Sequence, residues 1–261
     1  MASKSLYALI SLVLLAGALV FMFFILLAGA VDGFPVNRFY LLQADTSNIP
    51  NAPSISRWSY WNICAKEGAQ TVCGSEHYSK VAPAFPLDPP SHREFRTHEN
   101  VPEAFIGTSY YFYMTRFMFA FMLISLFFGV VAFFLSILAL CTRLGAYLAS
   151  LFTALAFVFQ AIQASLMTTA YTKGRNHFRH NGQSAHVGAY AFGFQWAALA
   201  CFLISFVLLW LAGGSSREHR SQQSGPPRGT FFGPKRSKST RSRGSFIDDI
   251  DSRDGQTKDF S

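Results

Sequence analysis

Four apolar stretches, at 6–31, 117–141, 146–171 and 188–212, restrict this chain more than any other feature. Each holds the roughly 20 helical residues needed to cross a hydrocarbon core about 30 Å thick. None contains Asp, Glu, Lys or Arg. A buried helix of a soluble protein pairs an apolar stripe with a polar one, whereas these segments are apolar on every side. The expected fold is an all-α membrane protein: a bundle of four transmembrane helices. The first segment also has features of a secretory signal, with Lys4 before it and Ala28-Gly29-Ala30 near its end. Its apolar length far exceeds the roughly 7–15 residues of a signal core, so it is read as an anchor that stays.

What remains is a short N-terminus at 1–5, a loop at 32–116, a turn at 142–145, a second loop at 172–187 and a polar tail at 213–261. None of these is large enough for a separate soluble enzyme domain. Cations near span ends set the orientation. The tail carries Arg217, Arg220, Arg228, Lys235, Arg236, Lys238, Arg241 and Arg243 against Glu218, and Lys4 and Arg143 fall on its side if the spans alternate. Both termini are therefore expected in the cytosol. Lys173, Arg175 and Arg179 in the second loop oppose this reading and are outnumbered.

The first loop is expected to fold. Phe39, Tyr40, Ile55, Trp58, Tyr60, Trp61, Ile63, Tyr78 and Phe85 supply apolar surface for a small packed unit. Alternation through Arg57–Ile63 fits a short strand, as does the run around Gln70–Cys73, with Gly68 between them. A hairpin closed by Cys64 and Cys73 follows, and in an oxidising compartment a bridge over so short a loop stabilises by about 2–3 kcal/mol. Two unpaired thiols are the plainer alternative. Zinc is poorly supported, because the two cysteines are not CxxC-spaced and His77 is the nearest additional ligand. Beyond Tyr78, Pro83, Pro86, Pro89, Pro90 and Pro102 deny regular structure.

Trp61-Asn62-Ile63-Cys64, eight residues and then Cys73, set between the first two of four spans, resembles the claudin-type signature. Arg116, at the entrance of the second span, resembles the basic residue found there in claudins. Ser59-Tyr60 stands where claudins carry Gly-Leu. The chain is more similar to the fungal Sur-seven/PalI family, through Phe39-Tyr40-Leu41, Ala44-Asp45-Thr46, Trp58–Cys64, Cys73 and a basic, Ser-rich tail. The resemblance implies a claudin-like bundle with a small disulfide-pinned extracellular domain that has room for short β-strands. It also implies a plasma-membrane tetraspanner of eisosomes, cortical domains tied to endocytosis, sphingolipid balance and cell-wall organisation.

Lipid tails are as apolar as Leu, so helix association relies on close packing and buried polar contacts. Ala189, Gly193, Ala197, Cys201 and Ser205 recur at four-residue steps, a ridge expected to seat the fourth span on the third or on another subunit. Gln160 and Gln163 are the most polar groups deep in the third span, read as interhelical glue rather than as part of a polar cavity. Tyr110, Tyr111, Phe112, Tyr113 and Arg116 form an interfacial collar. Phe-rich spans suit sterol or sphingolipid contact, though such residues are more often simply lipid-facing bulk.

From Gly213 onward the composition is that of a disordered segment. Its cations, with Lys235, Arg236, Lys238, Arg241 and Arg243 at the centre, lie where anionic inner-leaflet lipid attracts each by about 1 kcal/mol. The cations from Arg217 to Arg243 are a large part of the chain's basic excess, and nucleic acid is not an expected partner of a segment held at a membrane. Among the chain's seven His, His77, His92, His98, His177, His180 and His186 fall on the outer side. Imidazoles titrate near pH 6.5, so they support an alternative role in ambient-pH sensing, similar to the PalI branch. No phosphate loop, nucleophile with a local base, intramembrane carboxylate or HExxH site occurs, and neither cofactor nor metal is expected. The leading expectation is a non-enzymatic organiser of a fungal plasma-membrane domain that self-associates and binds cortical eisosome proteins. A small-molecule carrier ranks third.

Overall fold

The apolar runs are helices: α1 (Ala2–Leu27), α2 (Tyr110–Ala139), α3 (Arg143–His180) and α4 (Ala189–Gly214). In the computed structural model, which describes residues 2–30, 33–68, 70–73, 95 and 97–214, all four are long and apolar enough to cross a membrane. The described residues belong to one compact unit. The proline-rich stretch at Pro83–Pro90, His77, His92 and the basic tail with Lys235, Arg236, Lys238, Arg241 and Arg243 lie outside the described residues.

Helix composition is inverted relative to a soluble bundle. Along α1 the line Ala8, Ser11, Leu15, Ala18, Met22 and Ile25, in alternating steps of three and four, is buried, with Leu19 beside it. On α2 the seam is Tyr111, Thr115, Met118, Met122, Ser125, Gly129, Ala132 and Ser136. On α4 it is Ala191, Gln195, Ala198, Phe202, Ser205 and Leu209. Small, hydroxylic and Met side chains face inward while Val13, Phe127, Phe134 and Leu211 face outward. Bulk that gains nothing by leaving lipid stays in it, and small residues let the backbones approach. The helices form a ring in which α1 meets α4 and α2, and α3 meets α2 and α4. Thr142 caps α3, its hydroxyl accepting from Gly145 N at 3.1 Å, so the connection from α2 is a tight turn.

At about 1.5 Å per residue, the 38 residues of α3 span about 57 Å, well beyond the hydrocarbon thickness. The helix continues past Tyr171, where the apolar run ends, to His180. That extension is the floor of the outer domain. Trp58 packs on Phe178 with ring centroids 5.4 Å apart, and Phe105 reaches Phe178 at 5.0 Å and Tyr111 at 5.2 Å.

Above it lies a five-stranded antiparallel sheet of β1 (Leu42–Asp45), β2 (Ile55–Trp58), β3 (Ile63–Glu67), β4 (Gln70–Val72) and β5 (Ala185–Val187), in the order β4-β3-β2-β1-β5. The expected hairpin about Gly68 is present as β3 and β4, with Gly68 at φ +61°. The continuous strand expected over Arg57–Ile63 is not. The chain turns at Ser59–Asn62 because the Ser59 hydroxyl takes Asn62 N at 3.1 Å and donates to Asn62 O at 2.7 Å. The fifth strand comes from the second outer loop, pairing Leu42 with Val187 and Ala44 with Ala185. A patch of amides closes the joint: Gln183 Nε2 donates to Asn48 Oδ1 at 2.9 Å, and Asn100 Nδ2 donates to Asn48 O at 2.7 Å.

Candidate functional site

The turn Ser59–Asn62, inside the signature stretch, is where the outer domain is fastened to the helices. Trp61 is half-buried, and its indole N–H donates to Leu26 O at 2.5 Å, using a carbonyl that the end of α1 leaves without a helical partner. Asn62 Nδ2 donates to Gly29 O at 3.0 Å, just past the same helix end. Gly29 holds φ +83°, and a Cβ there would overlap the Ser59 hydroxyl, so this junction admits only glycine. Tyr60 points down into the bundle. Its hydroxyl accepts from Gln163 Nε2 at 2.8 Å, and the Gln163 carbonyl accepts from Gln195 Nε2 on α4. One side chain of the outer turn thus closes a polar chain through two spans, and burial pushes the Tyr60 phenol well above its ordinary value.

The two cysteines are joined, with Cα atoms 4.5 Å apart, which settles the pairing against free thiols. The bridge ties the start of β3 to the residue after β4, directly behind the turn. Trp58 is a core residue of the sheet, 1% exposed, and its indole N–H finds no partner among the described residues. Arg116 lies over the Phe112 ring at 3.7 Å, one helical turn along α2. The expected motif residues therefore divide: Trp61 and the disulfide shape and dock the turn, Trp58 fills the core, and Arg116 belongs to the collar.

Arg57, next to this cluster, is buried in the sheet. Its Nε donates to Gln43 Oε1 at 2.9 Å, its Nη1 donates to Thr71 Oγ1 at 2.7 Å, and the guanidinium covers the Tyr40 ring at 4.5 Å. Burial lowers its pKa from the ordinary value, and these contacts link β1, β2 and β4 across the face where Cys64 lies opposite Arg57. Of the outer histidines, His177 stacks edge-on against Phe105 at 5.8 Å, while His98, His180 and His186 are exposed.

The four-step ridge on α4 does not form one contact face. Four residues turn a helix by about 400°, so the line from Ala189 to Ser205 drifts by about 160°. Ala189 and Gly193 are exposed, Ala197 and Cys201 are half-buried, and Ser205 is buried, its hydroxyl donating to Ser11 O on α1 at 3.4 Å. A Cβ at Gly193 would meet nothing within 4 Å. The two deep glutamines also part company. Gln163 is hydrogen-bonded on both amide atoms, whereas Gln160, equally buried, finds no partner for either among the described residues.

Tyr60 and Gln195 were not distinguishable as site residues by spacing, since they meet Gln163 from a loop and another helix. The nearest signal is compositional: an outer tyrosine beside the signature Trp, two amides in the third span and one in the fourth. Among the described residues no cluster of three metal-ligating side chains occurs.

The matches to known proteins run through this whole arrangement. The pattern of the SUR7/PalI family covers residues 7–208, from within α1 to within α4. The chain is similar to Protein SUR7 of Candida albicans, at 35% identity over 219 residues, 83% of this chain and 77% of that protein. It is similar to Protein SUR7 of Saccharomyces cerevisiae at 36% identity over 204 residues, 77% of this chain and 65% of that one, so part of the yeast relative has no counterpart in the match. An uncharacterized plasma membrane protein of Saccharomyces cerevisiae is 29% identical over 211 residues, 79% of this chain and 68% of its own length. With four membrane-capable helices, a disulfide-closed outer sheet and a family match over most of its length, the chain belongs to the SUR7/PalI family of fungal membrane proteins.

Proposed function

We propose that this protein is a non-enzymatic structural element of the fungal plasma membrane, organising a cortical domain by self-association. The observation that carries the reading is the Tyr60–Gln163–Gln195 chain. Gln163 and Gln195, which would line a substrate path in a carrier, are here bonded to each other, and Gln163 is bonded to the outer turn, which suits a rigid building block. The plasma membrane location is supported by the relative of Saccharomyces cerevisiae described as a plasma membrane protein, and the cytosolic placement of both termini by the basic tail. In this reading the outer sheet meets neighbouring copies or cell wall. The tail cations Lys235, Arg236, Lys238, Arg241 and Arg243 bind anionic inner-leaflet lipid, and cortical eisosome proteins bind alongside them.

The test is a fluorescent fusion to the whole chain in a fungal cell, followed by photobleaching. Stable cortical patches that fail to recover over minutes are the expected result. Diffuse, fast-recovering signal would overturn the organiser, and if deletion then abolished the response to alkaline medium, the protein would be assigned to pH signalling.

A further inference from the structure

Gln160 is 0% exposed, near the midpoint of the apolar run at 146–171, and neither atom of its amide has a partner among the described residues. Gln195 is 1% exposed. Its Nε2 donates to Gln163, while its Oε1 is left over among the described residues in the same way. An amide withdrawn from water without a partner is costly, and the hydrocarbon around the bundle offers none.

Three contacts fix what lies level with Gln160. Ser125 Oγ on α2 donates to Ala156 O at 2.9 Å, so Met122, one turn toward the sheet from Ser125, is level with Gln160, one turn toward the sheet from Ala156. That bond also commits the nearest hydroxyl on α2. The Gln163–Gln195 bond joins α3 to α4, so Ala198, one turn inward of Gln195, is level with Gln160, one turn inward of Gln163. The rings of Phe21 and Phe194 pack at 4.7 Å, which brings Ala18 of α1 to the same level. Met122, Ala198 and Ala18 are all 0% exposed. Two alanines leave space across the bundle, and Met is a side chain that yields.

The uncommitted groups are therefore one N–H2, on Gln160, and two carbonyl oxygens, on Gln160 and Gln195, about one helical turn apart in depth. A water molecule matches that set. It donates to both oxygens and accepts from Gln160 Nε2, the three bonds usual for a buried water. A metal ion would suit the oxygens and not the N–H2.

We propose that one water molecule is held inside the bundle between Gln160 and Gln195, extending the chain Tyr60–Gln163–Gln195 by a further link. The polar thread then runs from the outer turn to the middle of the third span. The inference rests on the packing of the four helices and not on self-association, so failure of the organiser reading leaves it standing.

The experiment is nuclear magnetic resonance of the full chain in lipid nanodiscs, with glutamine side-chain nitrogens and methionine methyl groups labelled. In wild type the Gln160 N–H2 should give a cross-peak to the water frequency, with NOE and ROE of opposite sign, as a bound molecule gives and proton exchange does not. Gln195→Met removes one of the three partners and should weaken that cross-peak at least threefold. Should Gln195→Met fail to fold, Gln160→Met supplies the second readout: the Met122 methyl should show the water in wild type and lose it in the variant. A Gln160 amide that sees no water and contacts Gln195 directly would overturn the proposal, as would a cross-peak unchanged by Gln195→Met. Equal cross-peaks at the buried Leu15 and Leu209 methyls, labelled in turn, would mean solvent throughout the bundle and would overturn the single site.

Discussion

The two ends of the bundle are held by different forces. At the outer end, hydrogen bonds converge: Trp61 on Leu26 O, Asn62 on Gly29 O, and Tyr60 on Gln163, which accepts from Gln195. Toward the inner end, shape dominates. A Cβ on Gly129 would come within 3.0 Å of the Phe202 ring and 3.1 Å of a Leu19 methyl, and Tyr147 stands edge-on to Trp210 at 6.3 Å. Lipid offers no solvent to drive apolar faces together, so each end uses what it has. The outer end has a folded loop with polar side chains to insert, and the inner end has a tight turn and must rely on close approach.

If that contrast is right, substitutions at the outer junction should act on the joint between sheet and helices. Gly29→Ala carries the largest expected effect. It combines a left-handed backbone, at φ +83°, with overlap on Ser59, and the two together cost about 2–5 kcal/mol. Thermal melts in one detergent should show a large fall in midpoint; a melt like wild type would mean that the turn is not bolted to α1. Next is the paired change Cys64→Ser with Cys73→Ser. Opening a loop with a sequence separation of 9 should cost about 2.5 kcal/mol. Helical circular dichroism should survive the loss of the sheet, and simultaneous loss of both would merge the two regions into one cooperative unit.

The smallest and sharpest comparison is between two neighbours on α3. Gln163→Leu leaves the Tyr60 hydroxyl and the Gln195 amide without their partner, an expected loss of about 1–3 kcal/mol. Gln160→Met removes a buried amide with no partner among the described residues, so stability should hold or rise by up to about 1 kcal/mol. Equal effects at the two sites, read from the same melts, would erase the distinction between a bonded and an unbonded amide.

Much of this was readable in advance, and the exceptions have physical reasons. Hydropathy found the spans because nothing soluble is apolar on every face for so long. The bridge was legible because Cys64 and Cys73 sit in the loop between the first two spans with a glycine midway. The helix ends were not. Lys173, Arg175 and Arg179 end the apolar run of α3, yet basic residues favour a helix C-terminus, so the helix continues into the outer domain. β1 and β5 hold four and three residues, including Gln43, Asp45 and His186, too few and too polar to show a period of two. The alternation through Arg57–Ile63 pointed to one strand because Ser59 and Asn62 were counted as polar teeth, when both are turn formers that bond one another. The glutamines were expected to be glue together. Only Gln163 is, because only it lies under Tyr60.

The last strand of the sheet also bears on how such a chain is made. The β1 edge that Ala185–Val187 covers stays bare while the ribosome is still delivering the third helix, and open edges invite foreign pairing. Biogenesis must therefore shelter Leu42–Asp45 until the third helix is complete, and a product truncated before Ala185 would present its sticky border to every neighbour on that side of the membrane.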